Sequence, residues 1–143
     1  MKTTNDLMKI LNSKVNTTDD LDKYLSEIES YDSNDFVDYL NKTLEAHRIK
    51  KNELVKKSNI SRTYLYQILN GTRKPGRDNL ISICISAGFS LDETIRCLEI
   101  INEGILYPRN IRDSIIIYAI NHGLNLQETN ELLYSKKIET LNN

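Results

Sequence analysis

The sequence predicts an all-α chain of short amphipathic helices, and three observations carry that prediction. Apolar residues recur three and four positions apart along most of the 143 residues, and no stretch alternates as a strand would. Asn, Gly and Pro punctuate those stretches where a helix has to stop, as at Asn70-Gly71, Pro75-Gly76, Gly88 and Gly104. The third observation is a gapless internal repeat, in which RDNLISICISAGFSLDETIRCL at 77–98 aligns on RDSIIIYAINHGLNLQETNELL at 112–133.

The elements follow in order. Thr4 is placed to cap a short helix with Leu7, Ile10 and Leu11 inward, and Thr17-Thr18 to open a second with Leu21, Tyr24, Leu25 and Ile28 on one side. A third helix is expected from Asn34 to Ile49, with Phe36, Leu40 and Leu44 on one face. The next runs from Lys51 to Ser58 with Leu54 and Val55 as its apolar stripe, and Asn59 ends it because Asn tolerates the left-handed conformation of a chain reversal. Ile60 then forms an apolar plug, Ser61 caps a helix whose inward residues are Leu65 and Ile68, and Asn70-Gly71 stops it.

After the Pro75-Gly76 turn, helices are expected at Asp78 to Ala87 and Leu91 to Glu103, ended by Gly88 and Gly104, with Ser90 and Glu93 as a capping box. The linker from Ile105 breaks the helix at Pro108 and recaps it at Asn110. The repeated hairpin follows, with identities at Arg77/Arg112, Asp78/Asp113, Ile85/Ile120, Gly88/Gly123, Leu91/Leu126, Glu93/Glu128, Thr94/Thr129 and Leu98/Leu133. Two copies are too few for a solenoid, so the second reads as a hairpin packed on the first.

Composition narrows the function classes. The net charge is −1, but residues 1–40 carry −5, residues 41–77 carry +8 and residues 78–143 carry −4. Positive charge concentrated on one short segment suits a polyanion, although a solvated Lys-rich helix surface has the same appearance. Cys84 and Cys97 have neither CxxC spacing nor a histidine at ligand spacing, so they read as core thiols and no metal is expected. His47 and His122 stand near helix ends and read as structural. No phosphate loop, catalytic carboxylate pair, nucleophile motif or cofactor motif is present, so no enzyme and no cofactor is expected. No apolar run is long enough to span a membrane, and the expectation is a cytoplasmic protein.

The phrase KNELVKKSNISRTYLYQILNGTRKP from Lys51 to Pro75 is therefore two short helices joined by a tight turn, with basic residues around the second. It resembles the lambda-repressor-like, or xenobiotic-response-element (XRE), helix-turn-helix family. The resemblance rests on Lys51, Glu53-Leu54-Val55, Asn59-Ile60-Ser61, Asn70-Gly71, Arg73-Lys74-Pro75, Leu80 and Gly88-Phe89-Ser90-Leu91-Asp92-Glu93, and covers roughly Phe36 to Gly104. Val55 stands where the family often has a small Ala, and Asn59 replaces its usual turn Gly. The resemblance implies a helix-turn-helix DNA-binding domain at 34–104, flanked by an acidic helical extension at 1–33 and a helical hairpin at 105–143.

It also implies a sequence-specific regulator of double-stranded DNA, expected to be a repressor, whose helix starting at Ser61 enters the major groove. Arg62, Thr63, Tyr66 and Gln67 face outward on that helix and are the expected base readers, since Arg pairs with guanine and Gln with adenine. Tyr66 is also placed to reach a phosphate, and Tyr64 reads as an edge-of-core residue. Lys51, Asn70, Arg73, Lys74 and Arg77 are expected on the phosphate backbone. A homodimer is expected, because paired half-sites lie about 34 Å apart on DNA and the Ile-rich run at 111–120 exceeds one stripe. The alternative is a protein-interaction module, antitoxin-like or signalling, that keeps the fold and binds a protein partner through the acidic N-terminal segment or the Ile-rich helix. In a further expectation, residues 1–33, with 4 basic and 7 acidic side chains, fold back on the basic surface and compete with DNA.

Overall fold

The centre of the molecule is a helix buried on every side. In the computed structural model, which describes residues 4–29 and 33–142, this helix is α6 (Arg77–Ala87), and every side chain from Leu80 to Ala87 is buried. The elements before it are α1 (Thr4–Lys14), α2 (Thr18–Glu29), α3 (Ser33–Ala46), α4 (Lys51–Ser58) and α5 (Arg62–Leu69). After it come α7 (Leu91–Ile100), α8 (Ile111–Asn121) and α9 (Leu126–Ser135), and the described residues contain no strand. The fold class is thus all-α, as expected.

Around α6 pack α4, α7 and α9, while α3 lies across α5 and α7. The apolar stripe of α3, Phe36, Leu40 and Leu44, is buried as its spacing predicts. One continuous core runs from Phe36 through Leu54, Leu65 and Leu80 to Ile116, Leu133 and Leu141. The C-terminal hairpin therefore shares its core with the helices that precede it.

Two helix C-termini fall short of expectation. α3 stops at Ala46 rather than Ile49, because Arg48 turns left-handed (φ 56°) and Ile49 N–H donates back to Leu44 C=O at 3.0 Å, closing the helix. α7 stops at Ile100, because the left-handed residue there is Asn102 (φ 62°) and not Gly104. At the N-terminus, Thr17 accepts from Asp20 N–H as the expected start signal of α2, but Leu11, Leu21 and Leu25 are exposed and not inward. Helical spacing decides which residues share a face, and a partner is still needed to cover it. The side chains of Leu7, Tyr24 and Ile28 fall outside the described residues.

The repeat is deeper in structure than in sequence. Ser90 and Asn125 both close capping boxes, with Glu93 and Glu128. Arg77 donates to Gly104 and Ile105 carbonyls, and Arg112, its counterpart, donates to those of Glu139 and Thr140. The two arginines then cross over: Arg77 pairs with Asp113 of the second copy at 3.0 Å, and Arg112 pairs with Asp78 of the first through two bonds of 2.9 Å. Each copy ends in an extended segment that buries a leucine, Leu106 and Leu141. The unit that repeats thus reaches 106 and 141, beyond the 98 and 133 visible in the sequence.

His47, just past the end of α3, and Glu93 of α7 meet at 2.8 Å, and the His47 ring lies 5.2 Å from the Phe89 ring. Burial alone would raise the Glu93 carboxyl, but hydrogen bonds from Ser90 N–H and His47 outweigh it and hold the pKa below its ordinary 4.5. A depressed carboxyl stabilises the fold above its ordinary value and loses that contribution as pH falls through the lowered one. Glu93→Gln is expected to melt earlier than wild type at neutral pH, with the gap narrowing below pH 4.5. Equal differences at pH 7 and in acid would contradict this role. Gly71 provides a second test: its φ is +86°, and an added Cβ would sit 3.2 Å from Val37. Gly71→Ala is expected to cost about 1–2 kcal/mol in urea unfolding.

Candidate nucleic-acid interface

The reversal between α4 and α5 places the starts of both helices together. Asn59 adopts the left-handed conformation (φ 58°) without help from Gly, and Ile60 is buried behind it. Ser61 accepts from Tyr64 N–H at 3.2 Å and so caps α5. Leu65, Ile68 and Leu69 are buried beneath α5, which leaves Arg62 and Thr63 exposed and Tyr66 and Gln67 half-buried.

Arg62 does not wave freely. Its guanidinium donates to Asn52 at 2.8 Å and to the Tyr66 hydroxyl at 3.1 Å. Lys51 and Arg62 both stand over the Tyr66 ring, 5.5 and 5.7 Å from its centre. Lys51 and Asn52 from the start of α4 thus meet Arg62 and Tyr66 from the start of α5. Asn52 was not among the residues singled out from the sequence, although its place next to Lys51 at the same helix start was the available signal. The first turn of α5 holds no acidic residue. A cation at the positive end of a helix opposes the helix dipole, an arrangement that an incoming anion relieves.

The far end of α5 leads into the basic loop. Asn70 accepts from Thr72 N–H at 2.9 Å, and Arg73 N–H donates to Gln67 C=O at 3.1 Å. The loop therefore folds back on the helix it follows. Arg73 lies over the Tyr64 ring at 5.3 Å, while Lys74 is exposed and Pro75 is buried. Tyr64 is half-buried and takes a 3.4 Å bond from Asn79 of α6, which puts it at the edge of the core. At this same end, Asn41 of α3 donates to Leu69 C=O and holds the last turn of α5.

One expected phosphate contact is engaged within the fold. The Arg77 guanidinium donates to Gly104, Ile105 and Asp113, so it serves the junction of the two repeats. The two cysteines are buried and unbridged, and burial pushes the Cys84 thiol well above its ordinary range. Both are core thiols.

With this geometry in place, comparison with known proteins finds that residues 40–93 match the helix-turn-helix family model. That segment is similar to the helix-turn-helix family. No curated protein and no solved structure matches the chain. The matched segment runs from within α3 to the first turn of α7, so it contains α4, α5 and the whole of α6. The fold is one that binds DNA. Among the described residues no helix is long and apolar enough to cross a membrane.

Arg77→Ala is expected to lower stability by about 1–3 kcal/mol, since Asp113 is only 8% exposed and would lose its guanidinium partner. The salt dependence of DNA binding should stay as in wild type. A reduced salt slope with unchanged melting would restore Arg77 to the phosphate set.

Proposed function

We propose that this chain is a sequence-specific double-stranded DNA-binding transcriptional repressor, acting as a homodimer and reading the major groove with α5. The observation that carries this reading is the cluster of Lys51, Asn52, Arg62 and Tyr66 at the adjoining starts of α4 and α5. It is cationic, rich in donors and mounted on helices anchored by buried Leu54, Leu65 and Ile68, as groove reading requires. Arg62, Thr63, Tyr66 and Gln67 are assigned to bases, and Lys51, Asn70, Arg73 and Lys74 to phosphates. Asn52 is added as the residue that orients Arg62.

The dimer is supported by α8, where Ile111 and Tyr118, two turns apart, are 70% and 50% exposed. The same surface is what the protein-interaction reading would use. Concentration of donors at the α4–α5 starts favours DNA, with residues 1–33 and the hairpin at 105–143 as appendages to the reading domain. The product is a cytoplasmic regulator without catalytic chemistry.

On a duplex that the protein selects, Arg62→Ala is expected to lose about 1–3 kcal/mol and to relax preference at one base pair. On random duplex the same variant should be close to wild type. Lys74→Ala is expected to weaken both duplexes alike and to reduce the salt slope by about one unit. Equal losses on both duplexes for both variants would refute this division of roles.

A further inference from the structure

A cleft of about 920 Å³ lies where the end of α4 meets the turns of the two repeated hairpins. That volume is in the range of about 300–1,000 Å³ typical of small-molecule sites. Ile85, Phe89, Ile120 and Leu126 supply apolar wall, and Ser86 lines it with a hydroxyl that is buried and makes no hydrogen bond. Lys56 and Lys57 stand at its rim against one acidic side chain, Glu131. Both lysines are exposed at the opposite end of α4 from Lys51, about 8 Å further along at the rise of an α-helix. Their charge is thus not part of the Lys51–Arg62 cluster.

We propose that this cleft binds a small apolar anion, a carboxylate with an aromatic or branched hydrocarbon body. The hydrocarbon lies against Phe89, Ile85 and Leu126, and the charge faces Lys56 and Lys57. Because α4 forms one wall, an occupant touches the helix-turn-helix directly, and any effect on DNA affinity must be matched by an equal effect of DNA on ligand affinity.

The test is titration of the full-length chain with anilinonaphthalene sulfonate, an apolar fluorescent anion, in the absence of DNA, so that its outcome is independent of the DNA-binding reading. Saturable one-to-one binding is expected. The double charge reversal Lys56→Glu and Lys57→Glu should weaken it about tenfold or more, and Glu131→Lys should tighten it. All three positions are exposed, so the variants should keep the helical circular dichroism of wild type. Absence of saturable binding, or binding at several sites indifferent to both changes of sign, would overturn the proposal.

Discussion

Everything that positions the proposed reading surface depends on α6 being buried on all sides. Its residues Leu80 to Ala87 leave no face for water, so the helix is held only if other helices surround it. α4, α7 and α9 do so, and α5 is joined to α4 by a reversal with Ile60 packed behind it. The polar groups of α6 are mostly accounted for locally, as where Ser82 donates to Asp78 C=O at 2.9 Å. A helix of eight residues such as α5 is too short to be stable alone. Its rigidity is borrowed from the buried helix beneath the domain.

The crossed arginine–aspartate pairs fix the start of that buried helix. Arg77 and Asp78 open α6, and they are tied to Asp113 and Arg112 at the start of α8. Each arginine also collects two carbonyls of the extended segment that ends its own repeat, so four chain segments meet at this junction. The duplication has therefore produced a reciprocal clasp and not merely a second copy of a hairpin. It also redistributes the charge of the chain. Of the basic side chains between 41 and 77, Arg77 belongs to the clasp, Lys56 and Lys57 to the cleft, and Lys51, Arg62, Arg73 and Lys74 to the surface around α5.

Much of this was legible in the sequence where local chemistry decides the outcome. Asn59 and Ser61 delimit α4 and α5 to the residue, because left-handed turns and N-caps have few solutions. Asn110 recaps α8 as read, accepting from Asp113 N–H. The misses lie where local signals are weak or distant. Arg48 and Asn102 end helices from left-handed positions, which their residue types do not announce as Gly does. Arg77 looks like any basic loop residue until Asp113, far along the chain, is brought beside it. The one hint was that both repeats open with the same Arg-Asp pair. The outward exposure of Leu11, Leu21 and Leu25 was equally hidden, since an amphipathic pattern records a face and not its partner.

The central claim is that the α4–α5 surface selects a DNA sequence, and selection tests it most directly. Sheared genomic DNA would be retained on the purified full-length protein at near-physiological salt and then sequenced. The account predicts one shared motif, a palindrome with half-sites about ten base pairs apart. Retention of no DNA, or of DNA without a common motif, would contradict it.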